Sequence, residues 1–251
     1  MTELNHTQQQ KKYKILLIGD NCTDVYQYGT VDRISPEAPV PVFKFSHEER
    51  RPGMAGNVCN NLTTLGCNVY SVYGENSTKT RLIDIRSKQQ IVRIDNDVES
   101  TPPNITYNLS GYNAVVISDY NKGTVTYELI ENLRKTFNGP IFVDTKKTDL
   151  ARLEGCIVKI NSFEFSQIKT RCSDLIVTLG SDGAEWNKEI FPVPRVEVSD
   201  VCGAGDTFLA ALAYWYIHSQ DMMQAIKFAI RASAVTVQRL GVYAPSLEEI
   251  L

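Results

Sequence analysis

Five short apolar runs constrain this chain most: "KILLIGD" (14–20), "VVISD" (115–119), "PIFVD" (140–144), "CIVKIN" (156–161) and "LIVTLG" (175–180). Each closes on Asp, Asn or Gly. Apolar runs of this length, with little polar alternation, read as strands buried on both faces. Between them lie helix-like stretches such as 124–137, which puts Val125, Leu129, Ile130 and Leu133 on one face. Strand, polar end, helix, repeated, predicts a three-layer α/β/α sandwich around a mostly parallel sheet. Ligands of such sheets gather beyond the carboxyl ends of the strands. Asp20, Asp119, Asp144, Asn161 and Gly180 are therefore expected to line one rim. A chain of 251 residues, 43% hydrophobic and 22% charged, can bury a core of that size.

Two stretches break the rhythm. "GTVDRISPEAPVPVFKF" (29–45) carries prolines at 36, 39 and 41, which central strands exclude. "TRLIDIRSKQQIVRID" (80–95) alternates apolar and polar residues around Arg86-Ser87-Lys88, the pattern of a two-stranded ribbon with one wet face. Together they predict a small β lid over the rim, within a single domain spanning 13–251. The polar start, 1–12, is expected to be a disordered tail.

Charge and composition narrow the partners. A net charge of −3 gives no basic field for nucleic acid. No apolar run reaches the length of a membrane span, and the start lacks a signal core. The six cysteines (Cys22, Cys59, Cys67, Cys156, Cys172, Cys202) form no CxxC pair, and the three histidines are far apart, which disfavours zinc. Reduced thiols and a cytoplasmic location are expected.

The chemistry concentrates at "DVCGAGDTFLAALAYW" (200–215), where Gly203, Ala204 and Gly205 enter an apolar run with helical spacing at Phe208, Leu212 and Trp215. Spacing alone leaves two readings open. One is a glycine-eased helix start with Asp206 as an N-terminal charge. The other is a cradle of free amides for an anion, with Asp206 as a base beside it. "RPGMAGNVCNNLTTLG" (51–66) repeats the loop-to-helix pattern, with Asn57 at its mouth either as a cap or as a clamp for a polyhydroxy ligand. In "GDNCTD" (19–24), Asp20 is placed to brace the turn, leaving Asp24 free to accept sugar hydroxyl protons.

Taken in order, "GDNCTDVYQYGTVDRISPEAPVPV", "RPGMAGNV", "QQIVRID", "SDYNKG", "VDTKKTD", "NSFE" and "DVCGAGDTF" resemble the ribokinase-like (PfkB) sugar kinases. They are most similar to the branch that phosphorylates heptose 7-phosphate for the lipopolysaccharide core. The resemblance runs from about residue 14 to 243. It implies an ATP- and magnesium-dependent transfer of the γ-phosphoryl group to a sugar hydroxyl. It implies Asp206 as catalytic base, with Gly203, Ala204 and Gly205 as the anion hole. Asp24, Gly53 and Asn57 would hold the sugar, with Lys122 on the same rim. Arg33, Lys79 and Arg93 are candidates for a substrate phosphate, against the alternative of exposed lid charges. Lys146, Asn161, Glu164, Thr178, Gly180 and Gly183 would lie on the nucleotide side, and the NxxE pair Asn161 and Glu164 would organise magnesium indirectly. Lid ribbons of this family pair between subunits, which implies a homodimer.

The departures from the family pattern are specific. Cys202 stands where Thr is usual, Met54 where glycine is usual, and Thr145 where proline is usual. A β–α element is missing between Gly74 and "TKTRL", a helix-length segment between Glu164 and "DLIVTLG" has shrunk to "FSQIKTRCS", and the stretch from Asp97 to Tyr112 is short. The nucleotidyltransferase domain that often follows in the family is expected to be absent, the chain stopping at Leu251. These losses leave open a relative of weak activity that binds sugar phosphate or nucleotide, or the same chemistry on another sugar.

Overall fold

The computed structural model describes residues 13–105 and 108–251; the tail expected at 1–12 lies outside them. Among the described residues one sheet of ten strands forms. Its parallel centre is β3 (Asn68–Asp84), β1 (Lys14–Ile34), β5 (Ala114–Asp119), β6 (Ile141–Thr145), β7 (Ile157–Asn161) and β8 (Leu175–Thr178), in that spatial order. The antiparallel strands β9 (Ala184–Trp186) and β10 (Glu189–Phe191) close one edge.

Alternation along β1 divides the core in two. Ile15 and Leu17 face one apolar layer, built with α1 (Ala55–Thr64), α4 (Ala204–Ser219) and α5 (Met222–Thr236). Leu16 and Ile18 face the other, built with α2 (Tyr127–Thr136) and a short 3₁₀ turn at Leu150–Leu153. The predicted three layers are present. The helix read at 124–137 forms at 127–136, because Thr126 caps it through Leu129 N–H at 3.1 Å. Glu128 in its first turn and Arg134 and Lys135 in its last complement its dipole.

The first strand does not end at Asp20 as the apolar run implies. A register irregularity between Gly19 and Asn21 lets β1 continue out of the core to Ile34. There it pairs antiparallel with β2 (Pro41–Met54), while β3 pairs with β4 (Gln90–Asn96). The lid is therefore the far end of the core strands, begins at residue 21 rather than 29, and reaches residue 54. The ribbon read at 80–95 is present: the Asp84 carboxylate accepts from Ser87 N–H at 2.9 Å and closes its turn.

Two features fall where the sequence reading expects shortened segments. Past residue 74, β3 runs unbroken from core into lid. Its core half, 68–74, has β1 as its only paired neighbour among the described residues. After β7 the chain makes one helical turn, α3 (Ser162–Phe165), before the loop to β8. The last helix, α6 (Leu247–Ile250), is equally short. No helix of the described residues is long and apolar enough to cross a membrane.

Candidate active site

The carboxyl ends of β5, β6 and β7, the mouth of α1 and the start of α4 converge on Asp206. Gly203 is the N-terminal cap residue of α4 at φ 78°, a left-handed conformation that glycine adopts without strain. It offers no side chain, so the first turn of α4 has no side-chain cap. Ala204 N–H reaches the Val201 carbonyl at 3.3 Å and Thr207 N–H the Gly203 carbonyl at 2.9 Å. Asp200 ties this loop down, accepting from Cys202 N–H at 3.0 Å and from Gly241 N–H at 2.9 Å.

Asp206 does not behave as a simple helix-start charge. It is 5% exposed, and each carboxylate oxygen has a donor of its own. Asn57 donates from Nδ2 to Oδ2 at 2.9 Å, and the Tyr120 hydroxyl donates to Oδ1 at 3.0 Å. Burial pushes its pKa up to about 6. The Asn57 hydrogen bond opposes this, the Asp144 charge adds to it, and Lys159 and Tyr120 oppose it. A carboxylate poised there ionises at neutral pH yet keeps appreciable proton affinity.

Lys159 lies beneath the glycine loop. It is 3% exposed and donates to Asp144 Oδ2 at 2.8 Å. Its Nζ sits 3.0 Å from where a side chain at Gly205 would begin. A buried lysine in mid-strand needs such a partner. The lysine inside "CIVKIN" was the available sequence signal for it.

At the root of the lid, Asp24 is not free. Arg81 on β3, itself half-buried, donates to the Oδ1 of the buried Asp24 at 2.5 Å. Gly53 lies opposite, where a Cβ would come within 2.3 Å of Asp24 Oδ2 and 2.5 Å of Cys22 Sγ. Only glycine fits that approach. Arg81 and Arg51 both stack over the Tyr26 ring, at 5.2 Å. Asp20 braces the loop after β5, accepting from the N–H groups of Tyr120 at 2.7 Å and Lys122 at 3.1 Å.

Other expected site residues separate. Asn57 is fully buried, and Asn61 Nδ2 also reaches its Oδ1 at 3.2 Å, so its amide serves Asp206 and α1. Lys122 pairs with Asp97. Arg93 is held by Asp95 at 2.8 and 2.9 Å, directly across from Arg81. Arg33 is exposed, nine residues along β1 from Asp24, roughly 30 Å of extended chain; the structure does not bring it to this group. Lys146 is exposed, with its ammonium 4.7 Å from the Tyr120 ring centre, and Lys79 reaches the same ring at 5.4 Å. Asn161 and Glu164 form a capping box on α3: Glu164 N–H donates to Asn161 Oδ1 and Asn161 N–H to Glu164 Oε2, each at 2.8 Å. Thr178, Gly180 and Gly183 follow at the end of β8, where Leu179 N–H meets the Gly183 carbonyl at 2.8 Å.

Tyr120, Arg81, Lys159 and Lys147, which sits 3.3 Å from buried Asp119, are the members that sequence reasoning missed. Among the described residues no group of three or more His, Cys, Asp or Glu gathers as a metal site. An apolar groove lined by Phe191, Val193, Trp215 and Lys227 shares no residue with the Asp206 group.

Met54 bears out its sequence oddity. It caps α1 at φ 50°, ψ −129°, a region costly for a residue with a Cβ, while its side chain is 3% exposed. Packing therefore offsets strain. Met54→Gly and Met54→Ala both lose that packing, but only glycine relieves the backbone. Urea unfolding should find Met54→Gly more stable than Met54→Ala by about 1 kcal/mol, the reverse of the usual order within a helix. Equal stabilities would mean that the backbone there is unstrained.

Comparison with known proteins follows the same lines. The family described as pfkB family carbohydrate kinase matches residues 155–250, which include Asn161, Glu164 and 203–206. The bifunctional protein HldE of a Nitratiruptor species is 34% identical, with 95% of this chain and 64% of that protein covered. The HldE of Campylobacter curvus is 33% identical, with 96% and 64% covered. The chain thus spans about 64% of the length of these curated relatives. The first alignment extends over 300 positions against 251 residues in the whole chain, in keeping with the shortened segments. Among solved structures, phosphofructokinase-2 from Escherichia coli has a TM-score of 0.72 at 16% identity, covering 95% of this chain and 96% of that one. Arabidopsis thaliana ribokinase, complexed with ribose and ATP, has a TM-score of 0.71 at 15% identity, covering 95% and 97%. These two share the fold.

Proposed function

We propose that this chain is a carbohydrate kinase of the PfkB type, which its C-terminal part matches, and that it transfers the γ-phosphoryl group of ATP to a sugar hydroxyl. The observation that carries this reading is Asp206, buried beside the uncapped start of α4 and poised near pH 6. Its carboxylate takes the proton of the attacking hydroxyl, the sugar oxygen bonds to the γ-phosphorus, and ADP leaves with the electron pair of the broken bond. The amides of Gly203 and Gly205, on either side of Ala204, and the helix dipole offset charge on the transferring group.

Asp24, held by Arg81, and Gly53 shape the sugar side. Lys146, Thr178, Gly180 and Gly183 lie on the nucleotide side. Magnesium, when bound, neutralises phosphate charge. Glu164 fits it: one oxygen is engaged by Asn161 and the other carries no hydrogen bond within the capping box, and magnesium needs few protein ligands. The motifs shared with the HldE relatives favour the anomeric hydroxyl of D-glycero-D-manno-heptose 7-phosphate, with Lys79 and Arg93 as candidates for the distal phosphate. Ile34, Phe45, Val92 and Ile94 are exposed on the lid, 44% to 61%, and support a homodimer formed through it.

A second reading, a binding protein of weak activity, rests on the Arg81 pairing of Asp24 and on Cys202, whose thiol burial holds above the ordinary range. ADP release with ATP, magnesium and a panel of sugar phosphates separates the two, turnover favouring the kinase. The pH profile tests the base. With Asp206 near 6, kcat/KM should fall about tenfold per pH unit below that value and level off above it. A flat profile between pH 5 and 8 would remove Asp206 from the role.

A further inference from the structure

We propose that Tyr120 is a positioning residue for the base, holding the Asp206 carboxylate in one plane and favouring its ionised form. The proposal rests on the assignment of Asp206 as proton acceptor. Its geometric basis is that two donors from two different elements take one oxygen each: Asn57 from α1 on Oδ2, and Tyr120 from the loop after β5 on Oδ1. Either bond alone would leave the carboxylate free to rotate about its last torsion. Together they fix it while leaving a lone pair on each oxygen for the incoming proton.

The loop that carries Tyr120 is itself fixed. Asp20 accepts from the backbone N–H of Tyr120, Lys122 and Thr124, at 2.7, 3.1 and 3.3 Å. The phenol remains a donor, because burial and the nearby Asp206 and Asp144 charges keep it well above its ordinary pKa. Lys79 from the lid and Lys146 from the loop after β6 both lie against its ring. The same side chain therefore links the base to both ammonium groups.

The other groups facing Asp206 are Asp144 on β6 and Lys159 on β7, paired with each other, and the Cys22 thiol on β1, held protonated by a pKa of about 12. Tyr120 is a neutral donor, so its removal changes no charge among them. Tyr120→Phe keeps the ring and deletes only the hydrogen bond.

The test is direct titration of Asp206 by carbon NMR of protein labelled at the aspartate γ-carbons, with Asp206→Asn used to assign the signal. In Tyr120→Phe the midpoint should rise by about one pH unit, the size of a single hydrogen bond to a carboxylate. In active protein kcat should fall about tenfold with KM unchanged, and the acid limb should move up with the midpoint. An unmoved midpoint overturns the proposal. Should Tyr120→Phe fail to fold, 3-fluorotyrosine installed at position 120, a stronger donor, should lower the midpoint; no change there also overturns it. If the unaltered protein turns over no sugar, the kinase reading falls, while the midpoint still decides the role of Tyr120.

Discussion

Asp206→Asn should slow phosphoryl transfer by roughly two to four orders of magnitude while leaving the protein folded. Asparagine has nearly the same shape; its amide oxygen can still accept from Asn57 and its NH2 can donate to the Tyr120 oxygen, so the packing around the site survives. What disappears is the proton acceptor. Stability should respond in the opposite sense. The folded pKa of Asp206 lies near 6, above that of an ordinary aspartate, so its ionised form opposes folding. Between about pH 4 and 6 that cost grows as pH rises, and it is fully present at neutral pH. The amide carries no such charge. At pH 7 the variant should melt at the same temperature as the parent or higher, and its stability should vary less between pH 4 and 6. A variant with near-normal kcat would remove Asp206 as the base. Lost activity together with lost structure would show that the carboxylate mainly supports the fold.

The second large effect is expected at Lys159. Its ammonium is buried with Asp144 and stands close to Asp206, so it offsets two carboxylates in a dry part of the rim. Lys159→Met retains most of the length of the side chain but leaves Asp144 without its partner. Breaking a buried pair in this way costs about 3 to 5 kcal/mol. Part of that should return in the double variant Asp144→Asn with Lys159→Met, because the uncompensated charge is then gone as well. Urea unfolding of the two variants measures the difference. If Lys159→Met alone cost no more than a surface substitution, the pair would be structurally idle. The loss of Lys159 should also push the titration of Asp206 further up, since the lysine is one of the groups that lower it.

Much of the layered fold was legible because it depends on period and punctuation. Five apolar runs ending in polar residues identified five of the parallel strands, and the mixed segment at 80–95 identified the lid ribbon. The course of β1 was not legible. Nothing in "GDNCTDVYQYG" announces that the strand continues for fourteen more residues, because its pairing comes from β2 and β3, which are distant in sequence. The glycine loop and Asp206 were found through their motif. Their hydrogen-bond partners were not, because Asn57 and Tyr120 lie 149 and 86 residues away. Asp24 was read as free because Arg81, 57 residues on, reaches it only once β1 and β3 pair. Asn161 and Glu164 show the opposite case: "NSFE" is also a capping-box sequence, and that local meaning is the one displayed by the folded chain.

The central claim is that this chain, with its shortened segments, still moves a phosphoryl group. The most direct measurement is phosphorus NMR of the protein incubated with ATP, magnesium and heptose 7-phosphate, followed over time against a protein-free control. The ATP signals should give way to those of ADP, with a second phosphomonoester signal growing on the sugar at the same rate. ATP that persists unchanged with heptose 7-phosphate and with every other sugar phosphate, while the protein still binds nucleotide or sugar, would contradict the account.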